Sequence, residues 1–291
     1  MGASDAYLSP SHQRSLGMMG NLEQLAIADS TRRNLAAYLA HPTHALMLAG
    51  EEGCGLGTIA RCLAHNLAGA DIVDIHPTLH NKQKTCIINA DDVADLGNYV
   101  RDRRRNLLVI IIDGADRTAP GVFERLLKLI EEPVPGVHYI FTAHDLSAIP
   151  ATILSRSSLI KVALPTSKQC ECLYDNLSSR QKAQIKFLAD RRPALICRLL
   201  NDDQDFASRA ERMQQAKSFL QGDKAERIQI ISGLSEREQG IELCEYLLIM
   251  IKRLSDPNLL HYRLDLLEQT ASRLQANGNV KLQLINLAVN F

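Results

Sequence analysis

The chain has 291 residues, enough for two or three domains, and its 33 lysines and arginines balance 33 aspartates and glutamates. This balance excludes a global field that would draw the chain onto nucleic acid or an anionic membrane, so we expect any DNA contact to be local. Hydrophobic residues make up 46% of the chain and aromatic residues 4%, which favours helical packing over a β-sandwich. Because no apolar run reaches the ~18 residues of a membrane span and no signal peptide is evident, the sequence predicts a cytoplasmic protein with no membrane partner.

Seven cysteines are scattered through the chain, an odd number that is typical of reduced thiols. Only Cys170 and Cys172 lie close together, and a single C-x-C pair is weak evidence for a metal site. We therefore predict no bound metal.

The N-terminal part leads into a predicted strand. Residues 1–20 are polar and lack a periodic pattern, which predicts a mobile tail. Apolar residues at helical spacing between residues 22 and 39 predict one or two helices. The apolar run at 44–49, closed by Gly50, then predicts a buried strand.

A glycine-rich loop follows this strand and precedes a helix predicted at 59–67. Gly50, Gly53 and Gly55 have the spacing of the G-x-x-x-x-G-K-[ST] phosphate loop. In such a loop, backbone N–H groups turn towards a phosphate at the N-terminus of a helix. Nucleotide binding and a simple turn that packs a helix against the sheet are both open interpretations.

Two residues of the phosphate-loop pattern are missing. Leu56 replaces the lysine, and Gly57 replaces the hydroxyl residue that holds Mg²⁺, with Thr58 one place further on. A charge-assisted contact contributes roughly 1.5–3 kcal/mol, so loss of the lysine alone should weaken ATP binding by about one to two orders of magnitude. We expect no cofactor, with residual ATP binding left open.

Further strands and helices follow in alternation. The pattern predicts strands at 71–77, 86–88, 107–112 and 138–142, and helices at 91–100 and 120–130. Arg101, Arg103, Arg104 and Arg105 form the densest basic cluster, which is either a contact for DNA or an acidic partner, or a solvated helix end. Asp113 directly follows an apolar strand, where α/β proteins bind ligands, although a simple turn residue is the alternative.

Two motifs carry a resemblance to a known family. Residues 126–133 read L-L-K-L-I-E-E-P and residues 150–157 read P-A-T-I-L-S-R-S. They resemble the L-L-K-x-L-E-E-P-P and P-x-T-I-L-S-R-C motifs of the clamp-loader ATPases of the AAA+ superfamily, in the same order and at nearly the same separation. The resemblance extends over about residues 40–291 and includes an N-x-N-x-x-L ending.

The family resemblance implies a fold and a domain layout. We expect an α/β AAA+ P-loop domain with a parallel sheet flanked by helices at 1–165, a helical lid at 166–205 and an all-α collar for oligomerisation at 206–291. Beyond residue 165 the predicted helices lie at 167–180, 181–190, 193–200, 207–221, 224–234, 237–254 and 259–277.

Compared with the active members of the family, this chain has lost most catalytic groups. Asp113 keeps the Walker B aspartate, which holds Mg²⁺, but Gly114 replaces the glutamate that orients water. The family's sensor 1, a Thr or Asn after the second core strand, corresponds to a position near Ala143 and His144. Its sensor 2, an arginine in the lid, corresponds to a position near Ala194, so that arginine is missing. Because no cysteine lies between residues 66 and 85, the family's zinc module is predicted to be absent.

Arg156 is the functional residue that the chain retains. In the family, the arginine of S-R-C is a finger that reaches the nucleotide of the neighbouring subunit, and its fork of donors suits a γ-phosphate. An ordinary surface arginine in an ion pair is the alternative.

A broken P-loop with a retained finger resembles the family members that act as non-hydrolysing stators. The resemblance implies as partners the clamp-loader gamma/tau and delta subunits, the sliding clamp and primer-template DNA. Two alternatives stay open: a working ATPase of the gamma/tau type, which needs the missing lysine and glutamate, and a nucleotide-free scaffold.

Overall fold

The computed structural model describes residues 22–67, 71–79, 86–97, 100, 107–119, 121–175, 177–251 and 257–291. They divide into two compact units, one ending at Arg198 and the other running from Leu199 to Phe291. The predicted domain boundaries after residues 165 and 205 stay predictions. The predicted N-terminal tail and the basic cluster of residues 101–105 lie outside the described residues.

The first unit is an α/β assembly. Its strands are β1 (Ala45–Gly50), β2 (Asp71–Ile75), β3 (Leu108–Ile112), β4 (Val137–Ala143) and β5 (Ser158–Val162). Its helices are α1 (Asp29–Ala40), α2 (Leu56–Asn66), α3 (Val122–Glu131), α4 (Ala151–Leu154), α5 (Ser179–Ala189) and α6 (Pro193–Asn201), the last of which contains the division between the units.

The five strands form one parallel sheet in the order β2-β3-β4-β1-β5. Every residue of β3 is buried, as is every residue of β1 except Gly50, because helices cover both faces of a parallel sheet. The carboxyl ends of β1, β3 and β4 lie side by side, so the residues that follow these strands meet at one edge of the sheet.

The core of this unit has two layers, since alternate strand residues point to opposite faces of the sheet. One layer packs against α3 and the other against α1 and α2. The first includes Met47, Ile110, Ile112, Val122, Leu126, Tyr139 and Phe141, and the second includes Leu35, Leu46, Leu48, Ile59, Leu63, Val109, Ile111 and Ile140.

Some local predictions were wrong. The sequence pattern does not indicate β5, an edge strand with only Ile160 and Val162 buried. The strand predicted at 86–88 is reduced to isolated bridges that pair Ile87 with Thr78 and Ile88 with Thr118. The helix predicted at 91–100 begins with turns at 90–95, and residues 98 and 99 lie outside the described part.

The helix predicted at 167–180 is also wrong. Turns at 167–170 lead into a 3₁₀ helix at Glu171–Tyr174, and α5 begins only at Ser179. The Thr166 hydroxyl donates to the Gln169 side chain (3.0 Å), and such local bonds compete with helix formation. Ser178 then forms a capping box with Gln181, which starts a new helix.

The second unit is entirely helical in its described residues. It contains α7 (Asp203–Gln221), α8 (Lys224–Ser232), α9 (Arg237–Ile251), α10 (Pro257–Gln275) and α11 (Val280–Asn290). Asp202 accepts from the N–H groups of Gln204 and Asp205, so α7 starts before the predicted residue 207. Phe219 and Phe291 pack edge to face in its core, with ring centroids 5.5 Å apart. The predicted order of an α/β domain followed by a helical region is confirmed.

No helix in the described part of the chain is long and apolar enough to cross a membrane.

Candidate functional site

The glycine-rich loop joins the carboxyl end of β1 to the N-terminus of α2. Gly53 and Gly55 have left-handed backbone conformations, with φ of 83° and 93°, that only glycine adopts at little cost. Gly50 ends β1, and the carbonyl of Gly55 accepts from the Ile59 N–H (2.9 Å). These glycines form the turn that their spacing predicts, and α2 begins at Leu56 rather than at residue 59.

Two side chains of this loop, Cys54 and Leu56, face the core. Leu56 is only 2% exposed and belongs to the core layer beneath α2. Cys54 is also buried, and burial raises its pKa to about 11, so its thiol stays neutral. Thr58 is half-buried in the first turn of α2. The loop therefore offers no lysine ammonium where a phosphate-binding loop would place one.

Both carboxylate oxygens of Asp113 accept hydrogen bonds from groups of its own chain. The Thr142 hydroxyl, at the end of β4, donates to Asp113 Oδ1 (2.7 Å), and Arg61 Nη2 donates to Asp113 Oδ2 (2.9 Å). Arg61 Nε also donates to Asp74 Oδ2 (2.6 Å) in β2. The side chains of Arg61, Asp74 and Asp113 are only 18%, 17% and 25% exposed. One guanidinium thus pairs with two carboxylates at the carboxyl ends of the strands, and the three groups together carry one negative charge.

Gly57 makes this closed arrangement possible. A Cβ atom on Gly57 would lie 2.2 Å from Asp113 Oδ2 and 2.9 Å from Arg61 Nη1. A serine or threonine at this position, which would hold Mg²⁺ in an active P-loop, would force Asp113 and Arg61 to move. Both Asp113 oxygens already accept hydrogen bonds, Oδ2 from Arg61 and Oδ1 from Thr142. The residues present therefore do not fit a catalytic Mg²⁺–nucleotide complex.

Gly114, the residue after Asp113, has a backbone conformation that suits glycine. Its φ is 83°, and its N–H donates to the Thr142 hydroxyl (2.8 Å). A Cβ atom there would lie 3.0 Å from Arg117 Nη2 and 3.1 Å from Pro77 Cγ. A glutamate at this position would be strained, so the conformation disfavours the acid that orients water in an active site.

The first turn of α6 lies against the glycine-rich loop. The Gly53 carbonyl accepts from the Ala194 N–H (2.9 Å), and Arg192 Nη2 lies 3.6 Å from Glu51 Oε2. Ala194 Cβ lies 3.8 Å from where a Cβ on Gly55 would be. The sensor 2 position predicted at Ala194 is therefore next to the loop, but it carries only a methyl group.

His144, the predicted sensor 1 position, also borders the loop. Its Nδ1 lies 2.9 Å from the Gly50 carbonyl, and its N–H donates to Asp116 Oδ2 (3.1 Å). The hydroxyl that reaches Asp113 instead comes from Thr142, one place before Ala143. The polar partner of Asp113 is thus displaced from the predicted position.

Arg156 lies on the surface, just after α4. Its Nη2 pairs with Glu131 Oε1 (2.9 Å), and its Nη1 donates to the Thr152 carbonyl (3.1 Å) and weakly to Ser155 Oγ (3.3 Å). The Arg156 side chain is 40% exposed. None of these contacts involves the glycine-rich loop or Asp113.

The sheet separates Arg156 from that loop. Arg156 precedes β5, whose first residue Ser158 pairs with Leu46 near the start of β1, and Thr43 Oγ donates to Ser158 Oγ (3.0 Å). Arg156 therefore lies at the amino ends of the strands and the loop at their carboxyl ends. Six residues of β1 span roughly 17 Å between them, so Arg156 does not serve the site of its own chain.

Among the described residues, no group of three or more His, Cys, Asp or Glu side chains is arranged to hold a metal ion. The absence of the zinc module stays a prediction, because residues 68–70 and 80–85 lie outside the described part.

Comparisons with known proteins agree with the motifs. The family model "DNA polymerase III, delta subunit" matches residues 69–166. DNA polymerase III subunit gamma of Buchnera aphidicola is 28% identical over 144 residues, which cover 42% of this chain and 38% of that protein. Subunit delta' of Haemophilus influenzae is 23% identical over 144 residues, covering 43% of this chain and 44% of that protein. Over these residues the chain is similar to DNA polymerase III subunits of the clamp-loader family.

The matched part spans about two fifths of each of these relatives. The crystal structure of a gamma subunit-related protein from Thermotoga maritima superposes with a TM-score of 0.56 at 12% identity, over 90% of this chain and 98% of that one. This likeness confirms the predicted fold, a parallel sheet flanked by helices and followed by a helical C-terminal region.

Arg61 is a residue of this site that sequence reasoning missed. It lies four residues after Gly57, so both face the same side of α2. A basic residue one turn into the P-loop helix, together with loss of the loop lysine, is the signal that points to it.

Proposed function

We propose that the chain is a delta-prime-like stator of the bacterial DNA polymerase III clamp loader. It hydrolyses no ATP itself, and Arg156 acts as an arginine finger on the nucleotide of a neighbouring ATPase subunit during sliding-clamp loading. One observation carries the proposal. Arg61 closes the Asp113 site at the carboxyl ends of the strands, whereas Arg156 is exposed at their amino ends.

The closed site supports the first half of the proposal. Arg61 takes the place beside Asp113 that a metal would need, and Gly57 leaves no room for a hydroxyl ligand unless Asp113 moves. Leu56 and Gly114 remove the phosphate cation and the water-orienting acid. A working ATPase of the gamma/tau type would need different residues at these four positions, which are Leu56, Gly57, Arg61 and Gly114. This alternative therefore has the weaker support.

The exposure of Arg156 supports the second half. A guanidinium presents five N–H donors in a planar fork, and the contacts within the chain use only two or three of them. The remaining donors are available to an anion outside the chain, such as a γ-phosphate. A nucleotide-free scaffold would have the same closed site, but in that case Arg156 would have no partner of this kind.

The proposed partners follow from the family. They are the gamma/tau and delta subunits within one ring, together with the sliding clamp and primer-template DNA, all in the cytoplasm. The balanced charge of the chain supports DNA contact through the assembled complex rather than by this subunit alone.

The last helix supports a role for residues 206–291 in assembly. One face of α11 packs Leu284, Leu287 and Ala288 into the core. Its outer face exposes Leu282, Ile285 and Val289 by 63%, 45% and 40%, at the spacing i, i+3, i+7 that aligns them in one stripe. We assign this stripe to contact with a helix of a neighbouring collar.

Replacing Leu282 and Ile285 together by glutamine tests the proposed assembly. Each exposed side chain would lose about 1.5 kcal/mol of burial at the interface, so affinity for a ring of the same organism's gamma and delta subunits should fall about a hundredfold. The measurement is a titrated pull-down read for stoichiometric incorporation. Asn290→Gln, on the same helix but outside the stripe, should assemble normally. Full affinity of the double variant would contradict the assignment.

A further inference from the structure

Glu131 makes the closest charged contact to Arg156. Its Oε1 lies 2.9 Å from Arg156 Nη2, and the two side chains are 42% and 40% exposed. Together with His44, Ile130 and Pro133 they line a shallow surface pocket of about 450 Å³. A group approaching from outside the chain therefore meets the carboxylate and the guanidinium side by side.

The helix itself does not explain an acid at this position. Glu131 is the last residue of α3 and Glu132 caps it, so two carboxylates lie at the negative end of the helix dipole. Such a placement is locally unfavourable. The ion pair with Arg156 offsets this unfavourable placement for Glu131. Among the described residues, Glu132 pairs with no cation.

The contacts fix Arg156 from two elements at once. Glu131, at the end of α3, holds Nη2, and the Thr152 carbonyl of α4 holds Nη1. Nε–H and one hydrogen on Nη2 remain available, and the second hydrogen on Nη1 makes only the weak contact to Ser155 Oγ (3.3 Å). A long side chain held in this way loses less conformational entropy when it meets a phosphate than one that moves freely.

We propose that Glu131 is a positioning residue that orients the guanidinium of Arg156 towards the nucleotide of the neighbouring subunit. This inference rests on the proposed function. Glu131 touches neither nucleotide nor reacting atoms, and acts only through Arg156. Because the pair is exposed, its contribution is small compared with that of the finger itself.

Glu131→Gln tests the inference, since glutamine keeps the size and removes the charge. Rings of gamma and delta subunits with this variant should hydrolyse ATP about three- to fivefold more slowly, with the loss in kcat rather than in KM. Glu131→Asp, which keeps the charge on a shorter arm, should lie between. Glu132→Gln is the matched control and should be silent. Assembly should be equal for all variants.

A double-mutant cycle separates the possible results. In an Arg156→Ala ring, Glu131→Gln should change nothing, because the group it positions is gone. Suppose that Arg156→Ala lowers the rate. If Glu131→Gln then leaves the rate unchanged, raises it, or lowers it equally in both backgrounds, the positioning role of Glu131 is overturned, while the role of Arg156 as a finger is retained. If Arg156→Ala itself is silent, the proposed function fails, and this inference fails with it.

Discussion

Arg156→Ala is expected to lower the DNA- and clamp-stimulated ATP hydrolysis of a reconstituted ring by about a hundredfold or more. Transition-state charge on the neighbour's γ-phosphate would lose its guanidinium partner. The effect on the chain itself should be small, because the Arg156–Glu131 pair is about 40% exposed and such pairs contribute roughly 0–1 kcal/mol. The measurement is the ring's ATPase rate at equal assembly, together with the melting temperature of the free chain.

Arg156→Lys is the matched variant for this result. A lysine keeps the charge but presents a point charge instead of a planar fork, so it should restore little of the rate. An unchanged rate for Arg156→Ala would make the residue an ordinary surface arginine. It would favour the nucleotide-free scaffold, which shares the closed Asp113 site but needs no finger.

Arg61→Met is expected to destabilise the free chain by about 2–3 kcal/mol. The side chains of Asp74 and Asp113 are only 17% and 25% exposed, and they would lose the cation that pairs with both. The estimate lies below the 3–5 kcal/mol typical of fully buried pairs, because solvent screens part of the charge. The measurement is the free energy of unfolding from urea denaturation.

Two further variants check the origin of this loss. Changing Asp74 and Asp113 to asparagine in the Arg61→Met background should recover much of the stability, since it removes the unpaired charges. Arg191→Met is the control, because Arg191 lies 3.9 Å from its exposed partner Asp190 and should contribute little. A loss below about 0.5 kcal/mol for Arg61→Met would mean that the Asp113 site is not held closed by this pair.

Local patterns account for the parts of the site that the sequence predicts correctly. The apolar run before Asp113 specifies a buried strand, and the spacing of Gly53 and Gly55 specifies a left-handed turn, because both depend on neighbouring residues only. Contacts between residues that are far apart in the sequence are harder to predict. Arg61 meets Asp74 and Asp113 at separations of 13 and 52 residues, and no local pattern fixes that pairing.

Gly57 shows how a correct sequence observation can carry a wider meaning in three dimensions. From sequence, it is the loss of a hydroxyl ligand for Mg²⁺. In the fold, the space of its missing side chain is filled by the Asp113 carboxylate, 2.2 Å from where a Cβ would be. β5 was missed for a different reason: as an edge strand it exposes Leu159 and Lys161, so it lacks the continuous apolar run of the central strands.

Steady-state ATP turnover by the purified chain alone, compared with a ring that contains it, tests the central claim most directly. We expect the chain alone to show no turnover above background, because Arg61 forms an ion pair with Asp113 and neither Leu56 nor Gly114 supplies a catalytic group. The ring should turn over ATP at a rate that depends on Arg156. Steady turnover by the chain alone that disappears in an Asp113→Ala variant would contradict the claim and identify the chain as an ATPase in its own right.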